Sequence, residues 1–345
     1  MPFQPVRLLA VAVAAATLAL AGCSADAAPS TDETAGAADD GAFPVTLTDA
    51  LGEATIDSKP ERIVTIGWAA QDVVAALGTT PVATTDFTWG SVDKYLPWFQ
   101  ERVEELGGEL PEIVRTTDAE EIDFDQVLSL EPDLILAPHS GITENEYKRL
   151  SDIAPTVAYA EAPWTSDWQE LTRTIGKALG QVDDAEALIE ATNAEITAQA
   201  DAHPEFAGVP FTYGWYLSDG ATAVDLYVPQ DPRVQLMEQL GFVSSPQVVA
   251  LGKVTEGFFG SVSLEELSSV ESQFHLGWVN EPGDVARTVE NPIVAAWGPI
   301  KNGSYYFMED QSMAWASSQP SVLSIPWSLD TIVPEIAAHL HVTDS

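Results

Sequence analysis

The residues that invite a chemical reading are aromatic. The chain has 345 residues and ten tryptophans. Five of them, Trp68, Trp89, Trp164, Trp278 and Trp315, fall in loops or at the ends of expected strands. Core packing accounts for any single tryptophan as readily as a ligand does, but the neighbouring glycines and serines favour a ligand wall. Indole faces are broad, apolar and attractive to cations, so a cleft lined by them suits a large, partly apolar guest. Arg115, in Val114-Arg115-Thr116-Thr117, carries a fork of donors fit for ligand oxygens. A surface ion pair is the competing use for it among so many acids. His139 follows a strand, at the end where α/β folds hold ligands.

Covalent and metal chemistry have little to build on. No Gly-x-Ser-x-Gly elbow and no His-Glu-x-x-His run is present. The five histidines, His139, His203, His275, His339 and His341, do not assemble a first ligand set by spacing. No glycine-rich phosphate loop follows a strand. An enzyme is therefore not expected, and neither a resident metal nor a cofactor is.

Charge narrows the partners. Fourteen Lys and Arg stand against 53 Asp and Glu, a net charge of −39. A chain this acidic does not fit a phosphate backbone, which calls for clustered basic residues, nor an anionic lipid surface. With 46% hydrophobic residues it is no disordered acidic tail either.

The first residues read as an address. Arg7 precedes an apolar run from Leu8 to Leu20, too short to span a bilayer, and Leu20-Ala21-Gly22-Cys23 follows. This predicts a signal peptide over 1–22, with an ending that resembles a bacterial lipobox and lipidation at Cys23, the only cysteine. Residues 23–42 are small, polar and acidic and read as a flexible tether, roughly 25 Å on average. No later run is long and apolar enough to span a membrane.

Elements that position the candidate residues come next. Short apolar runs at 62–66, 133–137 and 156–159 alternate with helical stretches at 68–77, 123–130 and 143–151, the pattern of parallel βαβ units. Residues 165–203 lack proline and read as two helices broken near Gly180. The second of them is long enough to cross a small domain. Alternation then restarts, with strands expected at 211–217, 223–228, 274–279 and 304–308 and helices at 232–240, 264–270 and 323–340. The stretch from Asp125 and the stretch from Glu265 each read as short helix, acidic turn and buried strand. This organisation gives an N-terminal α/β lobe over 43–182, a linking helix over 183–203 and a C-terminal α/β lobe over 204–345. A cleft between two such lobes is a common ligand site.

Several motifs, in order along 45–340, resemble the iron-siderophore substrate-binding proteins of bacterial ABC importers. Arg62-Ile63-Val64-Thr65-Ile66-Gly67-Trp68 followed by Ala75-Ala76-Leu77-Gly78 looks like that family's first strand and helix. Glu131-Pro132-Asp133-Leu134-Ile135-Leu136 looks like its second conserved-order strand. Leu226-Tyr227-Val228-Pro229 with Leu236 to Phe242 resembles the second lobe of ferric enterobactin binders, and Asn291-Pro292 with Lys301 to Tyr306 resembles a further stretch of the family. The resemblance implies two Rossmann-like lobes joined by one long α-helix, the class III periplasmic binding protein type. From the ferric hydroxamate binders it implies ligand contacts at Trp68, Trp89, Arg115, His139, Phe259 and Trp315. Pro138-His139-Ser140 departs from those binders, which have a tyrosine there, and Phe259 replaces a tryptophan. Asp125 and Glu265 fall at the positions that dock on the permease.

The implied ligand is a ferric siderophore that brings its own Fe(III), bound by a lipid-anchored monomer outside the cell membrane. Few basic residues fall in candidate cleft loops, namely Arg115, Lys253 and Lys94, so hydroxamates are favoured slightly over the more anionic catecholates. Competing readings are a binder of haem, cobalamin or bare metal on the same fold, or a cell-envelope scaffold or sensor.

Overall fold

The structure is a computed structural model that describes residues 42–88, 94–115, 121–281 and 283–341. Cys23, the leader and Trp89 lie outside the described residues. No described helix is long and apolar enough to cross a membrane.

The described chain opens with an antiparallel hairpin, β1 (Val45–Thr48) and β2 (Glu53–Ile56). Asp49 closes the turn by accepting from Leu51 N and Gly52 N at 2.9 and 2.7 Å. Its other oxygen accepts from Ala158 N at 2.7 Å and ties the hairpin to the lobe behind it.

The first lobe follows as β3 (Ile63–Thr65), α1 (Ala70–Ala76), β4 (Ala83–Thr84), α2 (Pro97–Glu105), β5 (Glu112–Ile113), α3 (Phe124–Ser129), β6 (Leu134–Leu136), α4 (Glu144–Ser151) and β7 (Thr156–Val157). The five strands after the hairpin are all parallel, in the order β5-β4-β3-β6-β7. Ile63, Val64, Leu134, Ile135 and Leu136 are buried without alternation, as helices on both faces of a parallel sheet require. Side-chain caps start the helices where polar residues allow it. Asp123 accepts from Gln126 N before α3, and Thr143 with Glu146 forms a reciprocal capping box on α4. The chain leaves β3 toward one edge of the sheet and β6 toward the other. The crevice beyond the carboxyl ends of β3 and β6 is therefore a topological switch point.

Two helices lead out of this lobe, α5 (Trp168–Ala178) and α6 (Val182–Ala202). The 21 residues of α6 span about 31 Å. Ala185, Ile189, Thr192 and Ile196 are its buried stripe, at helical spacing.

The second lobe contains β8 (Pro210–Trp215), β9 (Ala223–Tyr227), α7 (Pro232–Gln239), β10 (Val243–Ser244), α8 (Pro246–Gly252), β11 (Phe259–Ser263), β12 (Phe274–Trp278), α9 (Asp284–Glu290), α10 (Gly298–Lys301) and β13 (Tyr305–Met308). Its sheet runs β11-β9-β8-β12-β13, with β10 also paired to β8. Strands β10, β8, β12 and β13 are parallel, whereas at one edge β9 pairs antiparallel with β8 and β11 antiparallel with β9. The helix expected over 264–270 is not formed. A single 3-10 turn at Leu267–Ser269 stands in its place, with Leu264, Leu267 and Val270 buried.

After β13 the chain turns back. Helices α11 (Gln311–Ser318) and α12 (Ser324–His339) pack on each other, and α12 lies along α6, where Gln199 Nε2 donates to Asp330 Oδ1 at 2.9 Å. The connection between them enters the first lobe. Ala69 N donates to Gln319 Oε1 at 2.8 Å, Ser321 Oγ donates to Asp72 Oδ2 at 2.7 Å, and Trp327 packs on Trp98 with centroids 5.1 Å apart. Trp315 and Ala316 share a buried cluster with Phe87, Leu96, Trp98 and Phe99 of the first lobe.

Candidate ligand-binding site

Trp68 is aimed by the turn that follows β3. Gly67 has φ +87°, and a Cβ there would lie 2.3 Å from the carbonyl oxygen of His139. Only glycine allows the turn after β3 to approach the turn after β6 this closely. Trp68 N then donates to His139 O at 2.9 Å, so the two switch-point loops are stitched together. Trp164 packs over both side chains, with ring centroids 4.9 Å from Trp68 and 5.6 Å from His139. It adopts φ +63°, a conformation that costs a non-glycine residue about 1–2 kcal/mol. Gly141 leaves room for its indole, since a Cβ there would meet Trp164 Nε1 at 2.7 Å.

The second lobe supplies the facing wall from its strand ends. Trp215 and Trp278 are the last residues of β8 and β12 and are register partners in that parallel pair. Tyr227 ends β9, and its hydroxyl accepts from Trp278 Nε1 at 2.9 Å. Phe259, at the start of β11, stands edge-on to Trp215 with centroids 5.0 Å apart and is 37% exposed. Trp315 on α11 completes the arc, edge-on to Trp68 at 5.1 Å.

These side chains, with Phe258, Ser318 and Arg233, enclose an open cavity of about 490 Å³. That size suits a small-molecule site, and the walls are almost wholly apolar. One charged side chain enters this lining. Arg233 lies in the first turn of α7, with its guanidinium carbon 4.0 Å above the Tyr227 ring. Its Nη1 donates to Asp231 Oδ2 at 2.6 Å, while Nε is buried with no partner among the described residues. Asp231 also caps α7 by accepting from Arg233 N at 2.8 Å. Burial pushes the Asp231 carboxyl up to about 6 against the pull of the Arg233 charge. Burial likewise pushes the Tyr227 phenol up to about 12, so it remains a neutral donor and acceptor.

His139 is buried beside Trp68, and its Nδ1 has no partner among the described residues. Burial first, and then the Arg233 charge, lowers its pKa to about 3, so the ring is neutral. Arg115 is elsewhere. Its guanidinium is well exposed, meets Asp123 Oδ2 at 2.9 Å, and is not among the residues lining the cavity. Asp125 in α3 and Glu265 after β11 are both exposed. No group of three or more potential metal ligands occurs among the described residues.

The structure thus brings Trp68, Phe259 and Trp315 to one cavity, with His139 behind Trp68. Sequence reading passed over Trp215, Tyr227, Phe258 and Arg233. Trp215 had a usable signal, an indole at the last position of a strand, as Trp278 has. Asp231-Pro232 is a helix-start signal that placed α7, but nothing in it announced that Arg233 turns inward.

Comparison with known proteins agrees with this architecture. Residues 63–227, from β3 through β9, match a sequence model of the periplasmic binding protein family. Among solved structures, PiaA of Streptococcus pneumoniae in complex with ferrichrome is 28% identical, with a TM-score of 0.79 over 86% of this chain and 98% of PiaA. A periplasmic solute binding protein of Mycobacterium smegmatis is 26% identical, with a TM-score of 0.72 over 86% and 99% of the two chains. A cobalamin-binding protein of Halobacterium salinarum is 31% identical over 183 residues, 52% of this chain and 46% of the relative. The match spans about half the length of that curated relative. The two-lobe α/β architecture with its long helix is thus one that these solved structures share.

Proposed function

We propose that this binding protein captures a ferric siderophore outside the cell and delivers it to the permease of an ABC importer. The observation that carries the reading is the cavity: four tryptophans, a tyrosine and two phenylalanines from both lobes meet at strand ends around one buried guanidinium. Such a surface fits a bulky complex with an apolar exterior and a few exposed oxygens. The likeness to PiaA, an iron uptake ABC transporter substrate-binding protein solved with ferrichrome, supports it. Hydroxamate complexes suit the site better than catecholates, because the apolar lining offers a single basic group. Iron enters with the ligand, and Trp68, Phe259 and Trp315 grip it, with His139 behind them. Lipid on Cys23 holds the monomer at the membrane, and Asp125 and Glu265 dock on the permease.

Tryptophan-fluorescence titration with ferrichrome tests the reading. Saturable quenching that weakens at least about 30-fold in Trp68→Ala, the loss of roughly 2 kcal/mol of aromatic contact, supports it. Loss of light that never saturates and is equal in both proteins rejects it. The likeness to the halobacterial relative favours cobalamin as the second reading. Cyanocobalamin in the same titration separates the two.

A further inference from the structure

Arg233 could have been held in the cleft wall by neutral acceptors. It is held instead by a carboxylate that is itself 1% exposed. The desolvation cost of burying an ion pair can exceed its Coulombic return, so such a pair is weak evidence of a stabilising role. Capping α7 does not require the charge either, because asparagine caps a helix as well as aspartate does. The pair does have one physical consequence for a guest. Among the residues lining the cavity, Arg233 is the only basic side chain, and Asp231 cancels it from behind. A ligand therefore meets a wall whose one positive charge is already balanced, so the lining carries no net charge.

We infer that Asp231 sets the charge of the ligand this cleft accepts, by masking the positive charge of Arg233. The inference rests on the siderophore reading above. Three singly charged hydroxamates cancel the charge of Fe(III), so their complex is neutral and matches the masked wall. Three doubly charged catecholates leave a trianion, which gains nothing from a compensated arginine and loses its water. Asp231 is a positioning and charge-setting residue; it does not line the cavity itself. Removing its charge unmasks Arg233. At an effective dielectric of about 20 and a separation of about 10 Å, that is worth about tenfold in affinity per unit of ligand charge.

The test is a comparison of selectivity. The native chain, Asp231→Asn, Arg233→Gln and the double variant are each titrated with ferrichrome and with a ferric tris-catecholate, following tryptophan fluorescence. Thermal unfolding is recorded for each. The native chain should prefer ferrichrome. Asp231→Asn should narrow that preference at least tenfold by strengthening the catecholate. Arg233→Gln leaves a buried acid that takes up a proton, so the wall stays neutral and the ratio should stay near the native one. The double variant, neutral again, should return toward the native ratio. A purely structural role for Asp231 weakens both complexes alike and leaves the ratio unmoved; that result, in folded Asp231→Asn, overturns the inference while the siderophore reading stands. Tighter binding of the catecholate than of ferrichrome by the native chain overturns it too. If neither complex binds the native chain, the siderophore reading falls and the inference falls with it.

Discussion

Asp72 makes the stability of this protein depend on pH in an unusual direction. Its carboxyl is fully buried between α1, α2 and the segment that returns from the second lobe. Trp98 Nε1 and Ser321 Oγ donate to Oδ2, both at 2.7 Å, and Gln71 Nε2 donates to Oδ1 at 3.1 Å. Burial outweighs these donors and raises the pKa from 3.8 to about 7. In the unfolded chain the group ionises near its ordinary value. Between about pH 4 and pH 7 the folded state therefore holds a proton that the unfolded state has lost, and stability falls as pH rises through that window. The contribution is complete below about pH 4 and gone above about pH 7. A shift of about three units at 1.4 kcal/mol each makes it about 4 kcal/mol.

The perturbation is Asp72→Asn. The amide oxygen can still accept from Trp98 and Ser321. Its new NH2 needs an acceptor, and Gln71 Oε1 is buried with no partner among the described residues. A half-turn of the Gln71 amide supplies it. Urea unfolding at pH 4, 5, 6, 7 and 8, followed by tryptophan fluorescence, should show similar stability near pH 4 and a gap of about 1.5 kcal/mol by pH 5. By pH 8 the variant should be more stable by several kcal/mol, approaching about 4. Taking the difference between the two proteins cancels the titration of the other acids. Parallel curves across the whole range would refute the reasoning, because they would mean that Asp72 does not change its protonation on folding.

Three further outcomes are expected. Gly67→Ala forces a Cβ to 2.3 Å from His139 O at φ +87°, so it should cost at least about 2 kcal/mol in urea unfolding. It should also weaken ligand quenching, because it pushes Trp68 away from its place. With 53 acids against 14 basic residues most acids have no opposite charge to meet, so raising NaCl from 0.01 to 1 M should lift Tm by roughly 5 °C or more; a flat Tm would show that surface repulsion is negligible. Charge reversal at both Asp125 and Glu265 should abolish uptake in cells while fluorescence titration of the purified protein stays unchanged, and uptake that survives removes them as docking residues.

Much of the architecture was written in local patterns. Ile63–Thr65 and Leu134–Leu136 are unbroken apolar runs because helices cover both faces of their sheet, and such runs are visible without coordinates. The helix expected over 183–203 spans Val182–Ala202, since acids at its start, an apolar stripe and His203-Pro204 at its end are all local signals. Trp68 and His139 stood out because each follows a strand. The expected helix at 264–270 failed for the opposite reason: a three-residue burial period is easily read as part of a helical one.

What sequence could not carry was pairing across distance. Arg115 and Arg233 look alike along the chain, yet one meets Asp123 in solvent and the other is sealed beneath Tyr227. Only the folded neighbourhood distinguishes them, because desolvation and partner geometry arise from residues brought together by packing. The same holds for the return of α11 and α12, which carries Trp315 against Trp68 and Ser321 against Asp72, partners about 250 residues apart. Local hydrogen bonding and hydrophobic period act over a few residues and leave their mark in the order of the chain. The cavity is built from contacts whose energy exists only after two lobes and a terminal helix have closed on one another.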